Sequence, residues 1–195
     1  MTIKMTKTWI GLLALAALLG ACAPADEQEP GEAVQDTAAA GAAGGMATMQ
    51  AKDGNHEFLR MMSDHHEGLI QMATAAMDKA SAQTTKDDAH MLHTKQAAER
   101  DTMVAMVQRE YQEQHTPRPP AKNQAQADSL NALSGFEYDR AFYRLVVDHH
   151  REGIGMIDQH MSHLTNPVVR QMAEKMKADQ QNEIAKFEQK QKSIS

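Results

Sequence analysis

Residues 58–77 align with residues 142–161 without a gap, and eight of the twenty positions are identical. The matches are Phe58/Phe142, Arg60/Arg144, Asp64/Asp148, His65/His149, His66/His150, Ile70/Ile154, Met72/Met156 and Met77/Met161. Phe, His and Met are uncommon residue types, so composition alone does not produce such a match. The chain therefore carries an internal duplication centred on Asp64-His65-His66 and Asp148-His149-His150. A methionine follows seven residues after the first histidine of each pair. Whatever element one copy forms, the other forms as well.

That element reads as a helix. Phe58, Met62, His65, Leu69, Met72, Ala73 and Ala76 recur at intervals of three and four. At 100° per residue they occupy a sector roughly 80° wide. Asp64, Glu67, Gln71 and Asp78 fall on the opposite side. The pattern predicts a first helix over 55–79 and a second over 86–114, the latter opened by Thr85 and Asp88 as a capping box. The prolines of Thr116-Pro117-Arg118-Pro119-Pro120 end it. Residues 116–134 then link the two halves, with a helical turn expected around 124–133. Ser134 with Glu137 is a second capping box, opening a third helix over 135–164. Asn166-Pro167 gives an N-cap and a proline at the first position of a fourth helix running to about 190. Met172, Ala178, Ile184 and Phe187 match Met91, Ala97, Met103 and Met106 at a spacing of 81. The fold class is thus all-α: a four-helix bundle over residues 54–192, made of two duplicated helical hairpins at about 55–114 and 135–192.

The chain ahead of the bundle reads differently. Lys4 and Lys7 precede a short apolar run, Trp9 to Leu19, too short to span a bilayer comfortably. Residues 1–21 are read as an export signal. Leu19-Gly20-Ala21-Cys22 resembles a bacterial lipobox, which implies that Cys22 is diacylated and anchors the protein to a membrane. Ala23 rather than Asp at the next position resembles sorting to the outer membrane in a Gram-negative host. Residues 22–53 comprise that cysteine and an Ala-, Gly- and acid-rich stretch without apolar periodicity, read as a flexible tether. Cys22 is the sole cysteine, so no internal disulfide forms. Removing Lys4 and Lys7 leaves 18 basic against 26 acidic residues. That balance argues against a nucleic-acid partner, which requires a basic face.

The histidines carry the chemistry. His65 sits within the apolar sector and is expected to point into the bundle, while His66 lies about 100° round toward a neighbouring helix. His149 and His150 repeat the arrangement. A lone core histidine is ordinarily a hydrogen-bonded packing residue. Two equivalent pairs, each with inward methionines, point instead to metal. In the second half His149, Gly153, Met156, His160 and His163 follow one another at intervals of 4, 3, 4 and 3 along one face. The candidate ligands are therefore His65, His66, Met62, Met72, His149, His150, Met156, His160 and His163. Met103, Met106, Met172 and Met176 are assigned mainly to packing, His90 and His93 to the surface, and His56 and His115 to solvent-facing helix ends.

Thioether and imidazole donors favour copper, Cu(I) over Cu(II). A structural zinc site more often uses thiolate, which the bundle lacks. A di-iron or di-manganese bundle needs Glu-x-x-His, which occurs nowhere in the chain. No nucleophile with a spaced base and no Gly-rich phosphate loop is present, so the chain is not read as an enzyme.

The segment Met62-Ser63-Asp64-His65-His66-Glu67-Gly68-Leu69-Ile70-Gln71-Met72-Ala73 resembles the signature of the DUF305 family. Leu133-Ser134-Gly135-Phe136, Asp139-Arg140-Ala141-Phe142 and His149-His150 resemble its second half. The similarity spans about residues 54–192. It implies a ferritin-like helical bundle, exported and linked to copper binding or copper tolerance. Carried over, the family's paired histidines fall on His65/His66 and His149/His150, and the trailing methionine on Met72 and Met156. The leading methionine is Met62, but Val146 stands there in the second half, and His160 stands where the first half has Ala76. The function expected is an extracytoplasmic, membrane-anchored protein that sequesters or transfers copper. Its alternative is a metal-free structural or interaction bundle at the cell envelope.

Overall fold

The stripe of Phe58, Met62, His65, Leu69, Met72, Ala73 and Ala76 is buried along its whole length on a single helix, α1 (Gly54–Lys79). The computed structural model describes residues 51–194, so the expected export signal, the expected lipidation at Cys22 and the expected tether as far as residue 50 lie outside the described residues. After α1 come α2 (Gln83–Tyr111), α3 (Ala121–Asn131), α4 (Gly135–His160), a 3-10 turn at Met161–His163, and α5 (Pro167–Ser193). The described part is helical throughout, with no strand among the described residues. It has five α-helices where the sequence predicts four.

The extra helix follows from topology. One apolar cluster holds Leu69, Met72, Ala89, Leu92, Leu130, Tyr138, Phe142 and Phe187. The other holds Phe58, Leu59, Met62, Met103, Ile157, Leu164, Val169 and Met176. Along α1 and α5 the chain runs from the second cluster to the first; along α2 and α4 it runs the other way. α2 therefore ends at the far end of the bundle from where α4 must begin. Residues 112–134 have to travel back along its length, which no short loop could do. They do so through the proline segment and α3, an 11-residue helix, about 16 Å at 1.5 Å per residue. α1 packs on α2, α4 on α5, α1 on α4, and α3 lies against α1 and α4.

The caps show what local sequence could and could not fix. Asn166 caps α5 by accepting from Val168 N, with Pro167 in the first turn, as the sequence predicts. Thr85 and Asp88 form no capping box, because the N-cap of α2 is Ala82, three residues before Thr85, and both are buried within the helix. The backbone N–H groups of Ser81 and Ala82 instead donate to the Asp139 carboxylate of α4, each at 2.8 Å. Ser134 is the N-cap of α4 but makes no side-chain cap bond.

His56 and His115 are not solvent-facing. His56 is fully buried: Lys52 N donates to its Nδ1 at 3.0 Å, and its Nε2 lies 2.9 Å from Glu113 Oε2. Tyr111 packs on its ring with centroids 4.3 Å apart. His115 Nε2 meets Asp64 Oδ1 at 2.9 Å. In both cases a carboxylate from a distant segment supplies the partner that lets the imidazole leave water.

Candidate functional site

Between the two apolar clusters, each long helix contributes polar side chains to one layer. α1 supplies His65 and His66, α2 Gln96 and Glu99, α4 His149 and His150, and α5 Gln180 and Glu183. The four histidines and both glutamines are 3% exposed or less. Each residue in one half has its counterpart 84 positions on: His65/His149, His66/His150, Gln96/Gln180, Glu99/Glu183. The second helices of the two halves thus share the offset of the first. The spacing of 81 expected from sequence is three residues, nearly one helical turn, out of register. It selects the same face but the wrong layer.

The paired histidines divide into two kinds. His66 and His150 face outward to carboxylates: His66 Nε2 is 3.0 Å from Glu99 Oε2, and His150 Nε2 is 2.7 Å from Glu183 Oε2. The Nδ1 of His66 donates to the Met62 carbonyl at 2.9 Å, so both of its ring nitrogens face oxygen. Lys95 Nζ also reaches Glu183, at 2.8 Å, and Asp179, at 3.2 Å. Burial pushes the Glu183 carboxyl up, but the bonds from His150 and Lys95 outweigh it, leaving it below the usual range.

His65 and His149 face each other. Their rings stack with centroids 3.7 Å apart and planes 19° from parallel. Burial, then the charges of the neighbouring histidines, brings His65 down to about 3 and His149 well below the ordinary value. Both imidazoles are neutral near pH 7. Neither nitrogen of His65 makes a well-formed hydrogen bond in the protein, its one polar contact being with the His149 backbone, and His149 Nε2 makes none. Asn123 of α3 meets His149 Nδ1 at 3.1 Å. Gly153 makes the approach of His65 possible: a Cβ there would lie 3.1 Å from His65 Cε1 and 2.8 Å from Gln180 Oε1. Gly68 does the same for α3, since its Cβ would lie 2.8 Å from Asn123 Cβ. Gln96 Oε1, Gln180 Oε1 and Asn123 Oδ1 are further buried oxygens without a partner in the protein. Such groups are rare in protein interiors and each costs about 1–3 kcal/mol.

Of the nine candidate ligands, the structure gathers the four paired histidines into this layer. Met62 and Met72 are fully buried but in opposite apolar clusters, on either side of the histidines along α1. Met156 is partly buried against the second cluster. The expected ladder on α4 stops at His160, because the chain there turns into the 3-10 segment. His160 donates from Nδ1 to the Met156 carbonyl and has Nε2 3.9 Å from Glu57, while His163 is exposed.

Among the described residues, no three His, Cys, Asp or Glu side chains are already disposed to hold a metal ion. The stack explains this. Imidazole lone pairs lie in the ring planes, so two parallel rings cannot direct nitrogens at one ion until one of them turns. The donors nevertheless fit a soft cation: neutral, desolvated imidazoles with nitrogens left free of good hydrogen bonds.

Gln96, Glu99, Gln180, Glu183 and Asn123 were missed by sequence reasoning. The first four carried a signal, since Gln96/Gln180 and Glu99/Glu183 are identical pairs at the same offset as the histidines. Asn123 carried none.

The model of the family described as "Domain of unknown function (DUF305)" matches residues 3–107 and 55–190. The chain belongs to the DUF305 family. Solved structures of this family share its fold. A DUF305 fragment from Deinococcus radiodurans is 22% identical, with a TM-score of 0.64 over 72% of this chain and 97% of the other. A DUF305 protein from Streptomyces coelicolor is also 22% identical, with a TM-score of 0.62 over 71% and 91%. CopM in its Cu(I)-bound form is 23% identical, with a TM-score of 0.60 over 69% and 93%, and CopM is also known in Cu(II)- and Ag-bound forms. No curated protein sequence matches the chain.

Proposed function

We propose that this DUF305 protein binds copper at the cell envelope, Cu(I) in preference to Cu(II), and sequesters it or passes it on. The observation that carries the reading is the His65–His149 pair: two neutral imidazoles, one from each half, with unpartnered nitrogens at the centre of the bundle. Keeping such groups out of water is costly unless they receive something. A monovalent soft cation suits neutral nitrogen and thioether donors better than a hard divalent one. That CopM, of the same fold, is found with Cu(I), Cu(II) and Ag supports copper as the cargo. The lipobox-like Leu19-Gly20-Ala21-Cys22 after an apolar run supports a lipid anchor on Cys22, and Ala23 rather than Asp after it supports a place on the outer membrane in a Gram-negative host. The role is binding, not catalysis.

The test is an anaerobic Cu(I) competition titration of the full chain, with Zn(II) run alongside. We expect saturable Cu(I) binding and a raised Tm, because a ligand held only by the native state stabilises it. His65, His66, His149 and His150 replaced together by Gln, which keeps bulk and hydrogen bonding, should abolish that binding. Stoichiometric copper retained by this variant would refute the assignment. A second reading, a metal-free interaction bundle, is favoured by the lack of a preformed three-ligand site among the described residues. An unchanged Tm with either metal would select it.

A further inference from the structure

A groove of about 260 Å³ lies between α2 and α5, lined by Ala98, Glu99, Thr102, Met172, Lys175 and Met176. Its lining includes the carboxylate that holds a buried histidine: Glu99 Oε2 is 3.0 Å from His66 Nε2, and the His66 ring is 6.3 Å from that of His65. One side chain therefore separates the groove from the stacked pair. Met172 is partly buried at the groove and Met176 lies beneath it, 2% exposed at the edge of the second apolar cluster, so the groove offers one thioether near its mouth, a second below it, and the carboxylate, a set that suits a soft cation.

The equivalent approach in the other half is shut. Glu183, the counterpart of Glu99, is occupied by Lys95 Nζ at 2.8 Å, so a positive charge already sits there. At the 84-residue offset, Asp88 and Leu92 stand where Met172 and Met176 stand, so the thioethers are missing too. Two ammonium groups lie near the groove, and both are paired with carboxylates: Lys175, which lines it, with Asp179 at 2.6 Å, and Lys95, whose charge also acts on Glu99, with Glu183 at 2.8 Å and Asp179 at 3.2 Å.

Resting on the copper reading above, we propose that Met172, Met176 and Glu99 form a docking site from which Cu(I) reaches His66 and the stacked histidines. The ion first meets the Met172 thioether, then takes the place of the proton in the His66 Nε2–Glu99 Oε2 hydrogen bond, which leaves to solvent through the groove, with no change of oxidation state. The bundle is loaded from one side only.

The test uses Ag(I), a soft cation that does not change oxidation state, on the full chain with 13C-methyl methionine and 15N imidazole labels. At substoichiometric Ag(I) we expect the Met172 and Met176 methyl resonances to shift together with the His66 ring. In the volume-conserving double variant Met172→Leu/Met176→Leu, the His66 response should appear about tenfold more slowly than in the wild type. Histidine shifts with unmoved groove methyls and no slowing would overturn the docking site while leaving core binding intact. Methyl shifts with silent histidines would overturn the transfer to His66. Silence of both sets would overturn the docking site and the copper reading together.

Discussion

The imidazoles of His65 and His149 lie face to face, 3.7 Å between centroids, one from each copy of the duplicated helix. The contact joins the two halves at the layer where the chain repeats itself. It is held mainly by packing, since neither nitrogen of His65 makes a well-formed hydrogen bond in the protein. It also keeps both rings from sharing an ion, so the proposed copper binding requires a ring to turn about its side-chain torsions. A buried, neutral, underbonded pair is the kind of arrangement a ligand can reorganise at low cost.

The stack should make stability depend on pH. His65 is held down to about 3, against 6.5 for the free side chain, first by burial and then by neighbouring histidine charges. The unfolded chain takes up protons that the folded chain refuses, so stability is full above about pH 6.5 and falls as pH drops toward about 3. His65 alone accounts for a loss on the order of 4 kcal/mol across that window. Denaturant midpoints at about pH 7 and about pH 5 would show the slope, and His65→Gln/His149→Gln should flatten it. An unchanged slope in that variant would mean that other groups govern it.

Gly68 sets the seat of α3. Replacing a helical glycine by alanine ordinarily gains up to about 1 kcal/mol from propensity. Here the new Cβ would lie 2.8 Å from Asn123 Cβ and 2.9 Å from its Cγ. Neither atom is the free end of a flexible side chain, so α3 must move. We expect Gly68→Ala to destabilise by about 1–3 kcal/mol and to shift the His149 ring resonances as Asn123 withdraws. A gain in Tm would show that α3 is loosely seated.

Asp139 ties the two hairpins together at the start of α2. Its fully buried carboxylate accepts from Ser81 N and Ala82 N, taking the role of the cap that α2 lacks. Asp139→Ala should cost about 1–3 kcal/mol and increase hydrogen exchange in the first turn of α2. Asp139→Asn, which keeps one acceptor, should cost less. Equal losses in both variants would mean that the carboxylate is not acting as a cap.

The bundle was legible because the stripe from Phe58 to Ala76 has helical period and the same stripe returns at 142–161. The histidine layer was legible for the same reason, since repetition singled out His65, His66, His149 and His150. Their partners were not, although Gln96/Gln180 and Glu99/Glu183 repeat as well. The second helices align at 81 by their apolar pattern but at 84 by their polar layer, and a shift of nearly one turn leaves the apolar pattern looking correct while displacing every layer. Asn123, Asp139 and Glu113 could not be read at all. Each acts on a residue of another segment, and nothing in a local window marks a side chain by what it will meet after the chain has doubled back. The same cause hid the burial of His56.

The most direct measurement is X-ray absorption at the copper edge on the Cu(I)-loaded full chain. We expect imidazole multiple scattering, lost in the variant lacking His65 and His149. A first shell of sulfur alone, or of oxygen alone, unchanged in that variant would contradict the placement of copper at the stacked pair.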